Sequence, residues 1–124
     1  MSDETQITDQ ITGQITGGVR DLIAVHVTTS SEDGAEKIAR AVLNARLAAC
    51  VHISEITSQY RWQGKIEEDT EFLLVMKTMG GAFDPLARLV MEHHTYDVPE
   101  IIALPVVAAT KGYAEWVRKC VSVQ

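Results

Sequence analysis

Two extended stretches, ACVHISEITSQYRWQG and KIEEDTEFLLVMKT, follow one another in the middle of this chain and constrain its fold more than anything else in it. The QGK between them reads as a hairpin turn, with Gly64 supplying the backbone freedom. In the first stretch Val51 and Ile53 share a face, whereas Ile56, Ser58, Tyr60 and Trp62 keep the opposite parity. That change of phase predicts a β-bulge near Ser54–Glu55. A hairpin of this length is too long for one small domain to cover.

The rest of the chain supplies the partners of the hairpin. Its 124 residues suffice for one compact domain and are too few for two. DLIAVHVTT, apolar on both faces, is a first strand for the middle of a sheet. SSEDGAEKIARAVLNARL follows as a helix, with Ala35, Ile38, Ala39, Val42 and Leu43 at helical spacing and Ser30 or Ser31 as its cap. A second helix is expected from about Gly81 to Thr95, with Phe83, Leu86, Ala87, Val90 and Met91 as its apolar stripe and Asp84-Pro85 near its start. EIIALPVVAAT reads as a fourth strand, confined to a sheet edge or ended by Pro105, which cannot donate to a ladder. KGYAEWVRKCVSV closes the chain as a helix, with Tyr113, Trp116, Val117 and Cys120 expected to face inward.

The order β-α-β-β-α-β-α with right-handed crossovers gives an α+β, ferredoxin-like domain over residues 20–124: a four-stranded antiparallel sheet with both crossover helices on one face. The second and fourth strands are then edges, and an exposed long edge invites association, so a symmetric oligomer is expected. Residues 1–19 stand apart. TQITDQITGQITGG repeats Q-I-T with one isoleucine in four residues, too little apolar surface to offset chain ordering, and reads as a flexible tail.

A net charge of -6 with both signs interspersed argues against a nucleic-acid surface, which needs a basic stripe. No apolar run approaches a bilayer span, and MSDETQITDQ has neither the basic nor the apolar region of a signal peptide. Cys50 and Cys120 lie far apart without a CxxC spacing, which suits reduced thiols in the cytoplasm, with a disulfide between them as the alternative. No nucleophile elbow, phosphate loop, HExxH or paired-carboxylate motif points to an enzyme, and the acidic run Glu67-Glu68-Asp69 reads as a solvated loop.

In RLAACVHI, YRWQGKIEEDTEFLLVMKT, HHTYDVPEIIALPV and GYAEWV, in that order and spacing over roughly residues 20–122, the chain resembles the CutA divalent-cation-tolerance family. The resemblance implies a ferredoxin-like subunit, a homotrimer built through the long hairpins, a cytoplasmic location and binding of divalent cations, copper above all. The trimer is also similar to that of PII-type signalling proteins, which implies an alternative role as a sensor of a small molecule held between subunits.

His93 and His94 match the copper-ligand positions that the resemblance implies. On a regular helix His94 returns to the apolar stripe and His93 points to its flank, so adjacent side chains diverge and resist chelating one ion. The competing reading is a packed, hydrogen-bonded His94 and an exposed His93 placed favourably at a helix end. Some relatives carry a cysteine near the end of the first strand. Val27 stands near that position here, so imidazoles are left to favour Cu(II) over Cu(I). Cys50 is a further candidate ligand, against the usual role of a buried, inert thiol. Tyr60, Trp62, Lys77, Tyr96 and Glu100 are expected, by resemblance, to line a cleft between subunits and to bind an anionic or polar small molecule. Interface packing with satisfied polar tips is the alternative for them.

Overall fold

A computed structural model describes residues 21–122. The expected flexible tail over residues 1–19 lies outside them. The elements run β1 (Leu22–Thr29), α1 (Glu32–Asn44), β2 (Cys50–Trp62), β3 (Lys65–Met79), α2 (Phe83–His93), β4 (Ile101–Pro105) and α3 (Lys111–Cys120). The strands form one antiparallel sheet in the order β2-β3-β1-β4, which puts β2 and β4 at the edges. This is the α+β, ferredoxin-like arrangement that the element order predicts.

Strand parity fixes what each face carries. Val25 and Val27 of β1, with Leu74 and Met76 of β3, are fully buried beneath α1 and α2 and form the main core with Ile38, Val42, Leu86 and Val90. Leu22 and Met79, of opposite parity, pack instead with Ala114 and Val117 of α3. The first two helices thus cover one face of the sheet, and α3 closes only one end of the other. Tyr113 and Trp116 do not face inward as expected: they are 38% and 44% exposed, their rings tilted against each other at 5.6 Å, and Ala114 and Val117 take the buried positions. Met91 likewise leaves the apolar stripe of α2 at 54% exposed, while Leu89 packs against the core.

Local chemistry sets the boundaries. The Ser31 side chain caps α1 by accepting from the Gly34 N–H. At the other end Leu47 N–H reaches the Val42 carbonyl and Arg46 N–H the Leu43 carbonyl, with Arg46 left-handed at φ 59°. That is the 6→1, 5→2 closure in which glycine is usual. Pro85 falls in the first turn of α2, where its missing N–H has no intrahelical partner to lose. Pro105 ends the β1–β4 pairing, opposite Ile23.

The hairpin carries no bulge. β2 pairs with β3 without interruption from Cys50↔Lys77 to Trp62↔Lys65, straight through Ser54 and Glu55. The phase change has another cause. β1 leaves the sheet at Thr29↔Phe72, so beyond it β2 and β3 continue as a two-stranded arm. At the base, the apolar residues Val51 and Ile53 lie on the helix-covered face. On the arm no helix lies above that face, and Ile56, Tyr60 and Trp62 load the other one. The arm ends in a two-residue turn with Gln63 at φ 50° and Gly64 at φ 80°, the type I′ pattern that matches strand twist.

Candidate functional site

The sequence-derived candidates fall at three levels of the sheet. The first lies where the arm leaves it. α2 ends at His93, and His94 is already extended (φ -93°, ψ 147°), so the last helical residue comes one position before the wheel argument assumes. His94 still turns inward, from the cap rather than the stripe. Its Nε2 lies 2.7 Å from the Thr28 carbonyl oxygen, just past the last β1–β4 pair at Val27↔Ile101. A carbonyl only accepts, so Nε2 carries the proton. Nδ1 then accepts from the Tyr96 N–H at 3.0 Å, and the Tyr96 ring tilts against the imidazole at 4.7 Å. His93 Nδ1 is 3.0 Å from the Leu89 carbonyl oxygen, one turn back on α2. By the same logic its proton sits on Nδ1, and the exposed Nε2 keeps its lone pair.

Each histidine therefore donates one ring N–H to a backbone carbonyl, the arrangement that orients imidazole ligands in metal sites. His93 presents the opposite nitrogen to solvent. The opposite nitrogen of His94 is occupied by Tyr96. Among the described residues no group of three or more His, Cys, Asp or Glu side chains stands ready to hold an ion.

The second level is the arm. Tyr96 OH donates to Glu71 Oε2 at 2.8 Å, and Tyr60 OH donates to Asp69 Oδ2. Gln59 Nε2 donates to Glu68 Oε1 at 2.7 Å on the other face. The bond to Asp69, with a small contribution from burial and nearby carboxylates, pushes the Tyr60 phenol up to about 12. Burial first, and then Glu71, does the same for Tyr96. Glu67, Asp69 and Glu71 alternate on one face of β3, so the phenols stand beside carboxylates rather than beside Lys77.

The third level is the base. Lys77 pairs with Cys50, whereas Tyr60 pairs with Glu67, ten residues farther along β3. At ~3.4 Å per residue they stand about 34 Å apart within one chain. Trp62 is nearer the tip still, 59% exposed. The five expected cleft residues are therefore not gathered in a single subunit, and Glu100 lies apart from them, exposed, one residue before β4. Cys50 is also distant from the histidine pair: Thr28 sits opposite Leu73, four residues from Lys77, or about 13 Å along the sheet. Cys50 has a different neighbour, absent from the sequence-derived candidates. His52 Nε2 lies 3.5 Å from its Sγ. The alternation in C-V-H places both side chains on one strand face, a signal available from sequence alone.

The chain and its fold have known counterparts. A family profile described as "CutA1 divalent ion tolerance protein" matches residues 23–120. The "Divalent-cation tolerance protein CutA" of Thermus thermophilus is 47% identical over 96 residues, covering 77% of this chain and 93% of that protein. "Protein CutA, chloroplastic" of Arabidopsis thaliana is 41% identical over 97 residues, and the match covers 77% of this chain and 53%, about half, of the plant protein. Among solved structures, CutA1 from Oryza sativa superposes with a TM-score of 0.81 at 37% identity, covering 86% of this chain and 98% of that one.

Proposed function

The chain belongs to the CutA1 divalent ion tolerance family, and on that footing we propose that it binds divalent cations, copper above all, as a cytoplasmic homotrimer. The single observation that carries the copper reading is the pair of carbonyl-anchored imidazoles at the end of α2. His93 offers Nε2 directly as a ligand to Cu(II), which suits imidazole nitrogen. His94 joins only if Nδ1 releases the Tyr96 N–H, at a net cost of about 1 kcal/mol for one hydrogen bond. The remaining positions are filled by water or by a neighbouring subunit.

The arm supports the trimer. A two-stranded ribbon is marginal in water by itself. This one exposes Tyr60 and Trp62 on one face and Ile66, at 63%, on the other, and the open sheet face adds Ile102 and Leu104. A symmetric assembly covers both. Two free thiols, Cys50 and Cys120, suit a reducing compartment. The role is binding rather than catalysis. The sensor alternative needs Lys77 of one subunit to meet Tyr60 and Tyr96 of another, and it has less support than copper binding, whose two imidazoles already adjoin within one chain.

The test is calorimetric titration of Cu(II) into the full chain. His93→Ala should weaken binding by well over the tenfold that loss of an outer-shell partner costs. Equal affinity in His93→Ala and the parent chain would remove the histidine-pair assignment.

A further inference from the structure

The open face of the sheet holds a second constellation, at the base of β2 and independent of the histidine pair. Cys50 and His52, two residues apart, place Sγ and Nε2 3.5 Å from each other. We propose that this pair is a thiolate–imidazole site for a borderline divalent cation of the zinc type.

The separation is the argument. A zinc-like ion takes sulfur at about 2.3 Å and imidazole nitrogen at about 2.0 Å, and two such ligands 3.5 Å apart subtend about 109° at the ion, the tetrahedral value. The two ligand atoms already stand at the separation such an ion requires. Both lie on a strand whose pairing with β3 is unbroken, so the backbone fixes their spacing. Within the single subunit His52 is exposed and Cys50 half-buried. In the metal-free state Sγ and Nε2 share a hydrogen bond whose direction follows the imidazole tautomer. The cation takes its place: the S–H bond breaks, an S–metal and an N–metal bond form, and the proton goes to solvent.

Tyr113, on the first turn of α3, is close enough to Cys50 to interact with it. It is positioned to donate to the thiolate once the metal is bound, the outer-shell support that such sulfurs commonly have. Two protein ligands leave two tetrahedral positions for water or for a ligand carried by a partner molecule.

Cobalt(II) added to the reduced full chain is the probe, because thiolate ligation gives a sulfur-to-cobalt charge-transfer band. The band is expected in the parent chain and in His93→Ala and Cys120→Ser, and is expected to vanish in Cys50→Ser. His52→Asn, at an exposed position that leaves the fold alone, should weaken cobalt binding by more than about tenfold. Absence of the band at millimolar cobalt, its survival in Cys50→Ser, or undiminished affinity in His52→Asn would overturn the site. Because His93→Ala is silent here and decisive for copper, failure of one reading is distinguishable from failure of the other.

Discussion

His94 makes two bonds, to the Thr28 carbonyl and from the Tyr96 N–H, that tie the end of α2 to the end of β1. Its removal leaves a partly buried carbonyl without a donor, so His94→Ala should cost about 1–3 kcal/mol in denaturant unfolding. His93→Ala should cost only a few tenths, because the Leu89 carbonyl it would release lies at an exposed helix end. The wheel argument correctly separates an inward His94 from an outward His93, but for an incomplete reason. The helix expected to reach about Thr95 ends two residues earlier, at His93, and neither the carbonyl of Thr28 nor the short loop that aims His94 at it has any local signature. The phenols give a second residue-scale prediction. Tyr60 and Tyr96 are both raised to about 12, and Tyr113 is raised too. A raised tyrosine keeps its proton longer in the folded state than in the unfolded one. Its contribution to stability is therefore complete below the unfolded value near 10 and is lost as pH climbs from there toward 12. Phenolate absorbance of the folded protein should rise above pH 10, with Glu71→Gln lowering the Tyr96 step only in part, since burial is its larger cause.

Elements were legible where one period governs them. Apolar spacing at 3.6 and 2.0 residues gives every helix and strand, because burial against the sheet is what those spacings record. The expected bulge shows where that logic stops. Between Ile53 and Ile56 the apolar parity switches, yet the ladder is continuous, because the covering layer changes and the backbone does not. The same holds for Tyr113 and Trp116, whose aromatic bulk suggests a core and whose exposure points to an interface. Two turns test the local account. Gly64 at φ 80° has open space around its would-be Cβ, so Gly64→Ala should cost about 1 kcal/mol from conformation alone. Arg46 occupies the left-handed closing position of α1 and donates to the Lys119 carbonyl at 3.2 Å. Glycine relieves the backbone at about 1 kcal/mol and forfeits that exposed bond, so Arg46→Gly should stabilise slightly, read as a higher denaturant midpoint.

At the scale of the molecule, a single chain leaves surfaces open that the proposed trimer would cover. One subunit separates Lys77 from Tyr60 and Cys50 from His94, and it extends an arm whose apolar face none of the described residues covers. Sequence resemblance implies a trimer that a single chain's geometry does not contain, and only in the proposed trimer would the scattered cleft residues meet. On the proposed trimer, Trp62→Glu should weaken assembly while sparing the fold of the protomer, because Trp62 lies at the arm's tip and is already 59% exposed there. Native mass spectrometry of the full chain with Cu(II) reads assembly and metal together. The account predicts a species of three 13.6 kDa chains with one His93-dependent copper per chain, and in His93→Ala/His94→Ala the same trimer without those ions. A monomer, or a trimer whose copper content is indifferent to both histidines, would contradict it.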